Sequence, residues 1–153
     1  MFSILVVCTG NICRSPMAAG LLQHYLPESL KTNIEVGSAG THALHGNQAE
    51  PNAIAAMSRN GIDIKAHRAR QITRDTARGA DLILTMEAAH SQHIKGLLKW
   101  RQNPPRRISE FNPQVPAHDI ADPYGGPIEA FEVCIRTLRP CIKGVILWIG
   151  NHL

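Results

Sequence analysis

Short runs of apolar and β-branched residues alternate along the chain with stretches in which apolar positions recur at helical spacing. Runs of this kind are typical of strands that are buried on both faces of a sheet. They predict strands at residues 3–7, 34–36 and 81–85, with a weaker fourth strand at residues 106–111. A Ser-Ala-Gly turn at residues 38–40 is predicted to follow the second strand.

Helical periodicity fills the stretches between the strands and most of the C-terminal part. Pro16 and Pro51 stand where a first helical turn tolerates proline, and Gly61 follows the end of the second helix. Pro140 has no N–H to donate and its ring clashes with the preceding turn, which predicts a kink or break in the last helix. The predicted helices are residues 17–25, 52–59, 73–78, 87–98 and about 128 onward, and the predicted loops are residues 103–105 and 112–127.

Strands that alternate with helices predict right-handed crossovers and an α/β fold, with a parallel sheet flanked by helices on both faces. The sequence contains no internal repeat or linker, and 153 residues suit one sizeable core, so residues 1–153 are predicted to form a single domain. Ligands of such sheets bind at the carboxyl ends of the strands. The first predicted strand ends directly before Cys8, so the loop after it is the first candidate for a binding site.

Charge and cysteine content narrow the function classes. The net charge of +4 fits an anionic partner, and the basic residues are scattered without the aromatic-interleaved stripe that a nucleic-acid binder would show. The sequence has no signal-like start and no run of about 20 apolar residues, so we expect a cytoplasmic protein without a membrane span. The four cysteines are then expected to be free thiols, and because their spacing does not match a zinc site we expect no metal.

The segment from Cys8 to Ser15 combines a cysteine, five residues, an arginine and a hydroxyl between a predicted strand and a predicted helix. A loop that enters a helix N-terminus points several unpaired N–H groups inward and so forms an anion cradle. Gly10 and Asn11 suit the positive φ angles of such a loop, and Arg14 offers a planar fork for two phosphate oxygens. The same positive field favours the thiolate of Cys8, which is the nucleophilic form of a cysteine. Cys8 and Arg14 are therefore candidate catalytic residues, and the predicted phosphate-binding residues are Thr9, Gly10, Asn11, Ile12, Cys13, Arg14 and Ser15.

Asp122 is a further candidate for chemistry. The proline after it disfavours helix and keeps it in an extended loop. Hydrolysis of a phosphate ester by a thiolate can use a carboxylic acid that protonates the departing oxygen and then acts as base on water. An isolated Asp-Pro pair more often forms a plain turn, so only its combination with the Cys8 loop favours a catalytic role.

The chain resembles the low-molecular-weight protein-tyrosine phosphatases over nearly its whole length. The specific motifs are Val-Cys-Thr-Gly-Asn-Ile-Cys-Arg-Ser-Pro at residues 7–16 and Asp-Pro-Tyr-Gly at residues 122–125. Three stretches support them in the same order: Ser-Ala-Gly-Thr at residues 38–41, His-Arg-Ala-Arg-Gln at 67–71 and Leu-Ile-Leu-Thr-Met-Glu at 82–87. The chain is similar in particular to bacterial members associated with exopolysaccharide production.

This resemblance implies a four-stranded parallel sheet with the phosphate loop after its first strand. It implies that Cys8 forms a phosphocysteine intermediate, that Asp122 is the general acid and that no cofactor is needed. It also implies a hydrogen-bonded network that holds Asn11 in a left-handed conformation, and a Ser15 hydroxyl that stabilises the Cys8 thiolate. The residues of that loop-supporting network are Asn11, Ser15, Ser38 and His67.

Leu44 and Tyr124 are candidate walls for an aryl ring. Members of the family often carry an aromatic residue near the position of Leu44 and a second aromatic after Tyr124, where this chain has Gly125, so its preference among phosphopeptides is expected to differ. The expected partner is a tyrosine-phosphorylated protein, with a bacterial tyrosine kinase as a candidate, and the chain is expected to be a monomer or weak dimer.

Oxidation is predicted to join Cys8 to Cys13 reversibly, because both lie in one curved loop. Two alternative functions remain open at this point. A thiol-linked arsenate reductase on a similar fold needs a cysteine relay. Cys134 and Cys141 are seven residues apart, which is ~10.5 Å of rise on a continuous helix. A disulfide requires Cα atoms within about 7 Å, so only substantial unwinding at Pro140 would allow one. A non-catalytic phosphopeptide-binding module would use Arg14 and the loop amides without needing both a cysteine and an acid.

Overall fold

The computed structural model describes residues 1–98 and 104–153. Within them, four parallel strands form one sheet in the order β2-β1-β3-β4, which confirms the predicted α/β fold. The strands are β1 (Phe2–Cys8), β2 (Ile34–Gly40), β3 (Leu82–Thr85) and β4 (Arg106–Arg107). Among the helices in these two ranges, none is both long enough and apolar enough to cross a membrane.

Helices make up most of the remaining described chain. They are α1 (Arg14–Tyr25), α2 (Glu28–Lys31), α3 (Pro51–Arg59), α4 (Arg74–Arg78), α5 (Ala88–Leu97) and α6 (Ile128–His152), with a 3-10 turn at Ile108–Phe111. The short helix α2 is an addition to the predicted elements. The long helix α6 packs against α1, α3 and the 3-10 turn, so the C-terminal part of the chain closes one face of the sheet.

The central strand β1 pairs with β2 on one side and with β3 on the other. Its successive side chains point to opposite faces, so Ile4 and Val6 pack into the core beneath α1 and α6, whereas Leu5 and Val7 pack into a second core beneath α5. Because both faces are covered, the strand reads as a continuous apolar run rather than as an alternation. Because β1 lies between β2 and β3, its carboxyl end emerges near the centre of the sheet edge.

Two predictions near strand ends are wrong. Residues 38–40 do not form a turn, because the register of β2 with β1 continues as far as the Cys8–Gly40 pair. The predicted strand at residues 106–111 pairs only as far as Arg107 and then forms the 3-10 turn. The buried residues of that turn do not alternate, and the Ser109 hydroxyl is bonded to the backbone of the loop that follows, so extended pairing cannot continue.

The predicted break at Pro140 is also wrong, because α6 is continuous from Ile128 to His152. Leu138 and Cys141, on either side of the proline, are buried in the core, and this packing holds the helix together where one backbone hydrogen bond is lost. The predicted kink stays a prediction. Part of the predicted loop at residues 103–105, namely Asn103, lies outside the described residues.

Candidate active site

The loop between Cys8 and Arg14 forms the floor of a pocket of about 220 Å³. Cys8 ends the central strand and Arg14 begins α1, so the loop turns back at the carboxyl edge of the sheet, where ligands of α/β sheets bind. Asp122 lines the same pocket, and so do the predicted wall residues Leu44 and Tyr124. The structure thus brings together the three predicted catalytic residues and both predicted walls.

Asn11 is the hub of the loop. It is fully buried and has a φ of 58°, in the left-handed region. Its side-chain nitrogen donates to Ser15 Oγ at 2.7 Å and to Ser38 Oγ at 3.0 Å, while its Oδ1 accepts from the backbone N–H of Arg70 at 2.9 Å. The Asn11 carbonyl accepts from His67 Nε2 at 2.7 Å. The four residues of the predicted network are therefore in direct hydrogen-bond contact through Asn11.

Gly40, at the end of β2, allows the strand to approach the loop this closely. A Cβ at Gly40 would collide with the carbonyl oxygen of Thr9 and crowd the side chain of Asn11. The next residue, Thr41, donates its N–H to the carbonyl of Cys8 at 2.9 Å. A residue without a side chain is therefore required where β2 meets the loop.

His67 is a neutral hydrogen-bond donor. A carbonyl oxygen can only accept, so the Nε2 that contacts Asn11 must carry the proton. Burial lowers the pKa of His67, and the positive charges of Arg68 and Arg70 lower it further, whereas the bond to Asn11 acts in the opposite direction. The imidazole therefore supports the loop without needing a charge.

The Cys8 sulfur lies 2.9 Å from Ser15 Oγ. Because the Asn11 side chain already donates to that oxygen, the hydroxyl proton of Ser15 is free to point at the sulfur. A hydrogen bond donated to a sulfur favours its thiolate over its thiol. The arrangement of donors at Cys8 thus suits an anionic nucleophile.

Only 2% of Arg14 is exposed to solvent. Its Nη1 donates to Glu87 Oε2 at 2.5 Å and to the carbonyl oxygen of Ile120 at 2.8 Å. Its Nη2 lies 3.5 Å from both Asp122 Oδ2 and Thr9 Oγ1. One nitrogen is therefore held by the protein interior, and the other is oriented toward residues that line the pocket.

The sequence motifs indicate no individual role for Glu87, Ile120 or His90. Glu87 follows β3, which pairs with β1, so the meeting of two carboxyl strand ends was an available signal for its contact with Arg14. The Ile120 carbonyl carried no signal, because its position depends on the conformation of a long loop. His90 is buried near the N-terminus of α5 and contacts Thr9, although its sequence context indicated only a helix.

Asp122 is exposed at the side of the pocket. The backbone N–H of Tyr124 donates to its Oδ1 at 3.1 Å, which leaves Oδ2 directed toward Arg14. Leu44 is 45% exposed and Tyr124 is 56% exposed, so both walls offer apolar surface to a ligand. The N–H of Leu44 donates to the Gly10 carbonyl at 3.1 Å, which connects Leu44 to the loop between Cys8 and Arg14.

The four cysteines are free and buried. Burial, together with the nearby charges of Asp122 and Cys8, raises the pKa of Cys13 to about 12. Burial likewise raises the pKa of Cys134 to about 12 and that of Cys141 to about 11. The last two lie on the continuous helix α6, so the unwinding that a disulfide between them would require does not occur.

Comparison with known sequences gives a consistent result. The family model described as low molecular weight phosphotyrosine protein phosphatase matches residues 3–147. A probable low molecular weight protein-tyrosine-phosphatase, EpsP of Ralstonia nicotianae, is 42% identical over 147 residues, covering 96% of this chain and 93% of that protein. The low molecular weight protein-tyrosine-phosphatase Wzb of Escherichia coli K12 is 42% identical over 137 residues, covering 90% of this chain and 88% of that protein.

Solved structures with the same fold include two phosphatases of different named activity. The tyrosine phosphatase Wzb from Escherichia coli K30, in complex with sulphate, has a TM-score of 0.85 and 34% identity, covering 98% of this chain and 100% of that chain. The YwlE arginine phosphatase from Geobacillus stearothermophilus has a TM-score of 0.88 and 32% identity, covering 99% of this chain and 95% of that chain. The fold alone therefore does not choose between these two phosphorylated side chains.

Proposed function

The chain belongs to the low molecular weight phosphotyrosine protein phosphatase family, as its motifs predict, and from this premise we propose that it hydrolyses protein phosphotyrosine through a phosphocysteine on Cys8. As a phosphatase of this family it is a phosphoric monoester hydrolase. The observation that carries the proposal is the single pocket shared by Cys8, Arg14 and Asp122. A nucleophile, a cation and an acid are the groups that this reaction needs.

The phosphoryl group would bind in the loop between Cys8 and Arg14. The amides that enter α1 have no carbonyl one turn earlier to bond, so they are available to oxyanions. Arg14 adds a buried charge whose orientation is fixed by Glu87 and Ile120. Donors that are held in place before the substrate arrives stabilise the charge that develops during transfer without further reorganisation.

In the first chemical step, the Cys8 thiolate attacks phosphorus, the sulfur–phosphorus bond forms and the bond to the tyrosine oxygen breaks. The Ser15 hydroxyl, which donates toward the sulfur, supports the attacking anion. Protonated Asp122 gives its proton to the departing phenolate oxygen. The products of this step are the free tyrosine side chain and a phosphocysteine on Cys8.

In the second step, a water molecule attacks the phosphocysteine. The Asp122 carboxylate accepts a proton from that water, the sulfur–phosphorus bond breaks and inorganic phosphate leaves. The sulfur returns as a thiolate and Asp122 returns to its protonated form. One water is consumed for each phosphate released, and no cofactor takes part.

The pocket walls favour an aryl phosphate over a phosphorylated guanidine. Leu44 and Tyr124 present apolar and aromatic surface beside the loop between Cys8 and Arg14, and these groups can pack on a phenyl ring. The polar N–H groups of a phosphoarginine gain nothing from these apolar surfaces and would depend on the Asp122 carboxylate and the Tyr124 hydroxyl as acceptors. The likeness to an arginine phosphatase nevertheless makes phosphoarginine the appropriate competitor in a test of specificity.

Two remaining functions are disfavoured by particular residues. A relay through Cys134 and Cys141, as an arsenate reductase would need, has no support in a continuous α6. A binding module has no use for an acid beside a buried cysteine. We further propose a tyrosine-phosphorylated protein, with a tyrosine kinase as candidate, as the substrate, and a reducing, cytoplasmic setting that suits four free thiols.

The test compares hydrolysis of peptides carrying phosphotyrosine, phosphoserine or phosphoarginine by the pure, reduced protein. We expect a strong preference in kcat/KM for phosphotyrosine, because only a long aryl phosphate reaches Cys8 while packing on Leu44 and Tyr124. Cys8→Ser should abolish turnover and keep oxyanion binding, since a serine hydroxyl fits the loop but is not ionised there. Substantial turnover by pure Cys8→Ser protein would reject Cys8 as nucleophile, and equal or higher kcat/KM for phosphoarginine would reject the substrate class.

A further inference from the structure

A chain of three residues links the end of β3 to the phosphate loop. The backbone N–H of Glu87 donates to His90 Nδ1 at 3.1 Å, and His90 Nε2 lies 2.9 Å from Thr9 Oγ1. His90 is only 3% exposed, whereas Thr9 lines the pocket beside Cys8. A buried imidazole thus contacts a hydroxyl that lines the pocket beside Cys8.

The direction of these hydrogen bonds follows from their partners. A backbone N–H can only donate, so His90 Nδ1 accepts and carries no proton. The imidazole is then neutral with its proton on Nε2, which donates to Thr9 Oγ1. The other acceptor near that proton, Glu87 Oε2, is 3.7 Å from Nε2, which is too far for a good hydrogen bond.

The second atom in contact with the Thr9 oxygen is also a donor. Arg14 Nη2 lies 3.5 Å from Oγ1, so Oγ1 is approached by one donor from His90 and by a second from Arg14. With its oxygen facing donors, the Thr9 hydroxyl has only its own proton to offer to a ligand. The part of the ligand in its reach would be an anionic phosphoryl oxygen, which is an acceptor.

We propose that the Thr9 hydroxyl is a further hydrogen-bond donor to the substrate phosphoryl group, and that His90 is the positioning residue that fixes its direction. The inference rests on the proposed phosphatase function and adds to it a side-chain donor and a buried residue outside the predicted site. Without His90, the Thr9 hydroxyl could rotate and offer its lone pairs, rather than its proton, to the oxyanion.

The surroundings of His90 support the neutral form that this role requires. Burial lowers the pKa of His90, and the nearby Arg14 lowers it further. The carboxylates that face it, Glu87, Asp119 and Asp122, act in the opposite direction and do not outweigh burial. The imidazole therefore keeps Nδ1 available as an acceptor and Nε2 as a donor.

Two pairs of variants separate the proposed role from a structural one. Thr9→Val removes the hydroxyl with little change of shape, and Thr9→Ser keeps it. In His90→Asn, the side-chain oxygen lies roughly where Nδ1 was and still accepts from Glu87, but no atom reaches Thr9. In His90→Gln, the amide nitrogen lies roughly where Nε2 was and can still donate to Thr9. His24→Asn, at the exposed end of α1, is the remote control.

The measurement is binding of inorganic phosphate by titration calorimetry, with kcat and KM for an aryl phosphate measured alongside. We expect Thr9→Val and His90→Asn each to weaken phosphate binding about tenfold, the effect of one hydrogen bond to a charged group. Thr9→Ser and His90→Gln should retain most of the phosphate binding that Thr9→Val and His90→Asn lose, and His24→Asn should match the parent protein. The double variant Thr9→Val/His90→Asn should bind phosphate no more weakly than either single variant, because both remove the same donor.

Three results would overturn the proposal: unchanged phosphate binding by Thr9→Val, a loss in His90→Gln as large as in His90→Asn, or additive losses in the double variant. The last two would mean that His90 acts through Glu87 and Arg14 instead. Phosphate binding does not require turnover, so the comparison of phosphate binding between the variants can be read whether or not the protein hydrolyses a phosphate ester. Failure of the parent protein to hydrolyse any aryl phosphate would reject the proposed function and leave the binding comparison intact.

Discussion

Replacement of Asn11 tests how the phosphate loop is held. The side chain makes three hydrogen bonds, to Ser15, Ser38 and the N–H of Arg70, and all are lost in both Asn11→Ala and Asn11→Gly. At about 1 kcal/mol net for each bond, either variant should lose about 3 kcal/mol of unfolding free energy. Folded domains have only about 5–15 kcal/mol in total, so this loss is large.

The two variants should differ because of the backbone. Asn11 has a φ of 58°, which glycine adopts freely and which costs alanine about 1–2 kcal/mol. Asn11→Ala should therefore lose about 4–5 kcal/mol in total. Alanine is the better residue in most other positions, so an order in which glycine is more stable is specific to a left-handed site.

Urea unfolding followed by circular dichroism measures both quantities, with Asn33→Ala as a control in an exposed turn before β2. The control should change stability by no more than about 0.5 kcal/mol. A loss below about 1 kcal/mol in Asn11→Ala would mean that the network does not stabilise the loop. An Asn11→Gly protein that is less stable than Asn11→Ala would refute the argument from backbone conformation.

Three further predictions concern catalysis, pH and oxidation. Asp122→Ala should slow hydrolysis of phosphotyrosine by about 10²–10⁴-fold. Hydrolysis of p-nitrophenyl phosphate should slow much less, because its departing oxygen is less basic and needs a proton donor less. Equal losses of rate in stopped-flow measurements along a series of leaving groups would argue against a general acid. Because the pKa of His67 and that of His90 are lowered from 6.5, the unfolded chain binds more protons below about that pH, so stability is lost as pH falls from 6.5 through the folded-state pKa. His67→Gln, which keeps a donor for the loop carbonyl, should flatten this decline in urea midpoints measured from about pH 7 to about pH 5, and an unchanged slope would contradict the assignment. Mild peroxide should convert Cys8 to a sulfenic acid that condenses with the Cys13 thiol, releasing water and forming a disulfide that a dithiol reverses; mass spectrometry should find this linkage, Cys13→Ser should make inactivation harder to reverse, and a dominant linkage between the two α6 cysteines would contradict it.

The sequence predicts the floor of the site better than its surroundings, for a physical reason. The residues from Cys8 to Ser15 are contiguous, so a strand, a turn and a helix start fix their relation locally. The contacts of Arg14 with Glu87 and with the Ile120 carbonyl join residues 73 and 106 positions apart, and these depend on how β3 and a long loop close over the sheet. Local patterns carry no information about the Ile120 contact, and they indicate the Glu87 contact only once β3 is placed beside β1.

The same distinction explains the errors in the fold. A Ser-Ala-Gly sequence has weak intrinsic strand preference, yet residues 38–40 extend β2 because β1 offers a continuous row of backbone partners. Proline disfavours a helix interior, yet α6 passes through Pro140 because apolar residues on both sides are buried. In both places tertiary contacts contribute more than local propensity, and local propensity is what a single sequence reports.

Burial divides the site into two sets of residues that should respond differently to substitution. Asn11, Arg14 and Ser15 are buried and bonded to one another or to distant elements, so a change in any of them removes hydrogen bonds of the folded state. Asp122 and Tyr124 are exposed, and their contacts with the rest of the protein are few. Substitutions there can change rate and substrate preference with little loss of stability. Under the proposed function, variation in substrate preference is therefore easier to accommodate at Tyr124 and Asp122 than in the loop, whose hydrogen bonds also stabilise the fold.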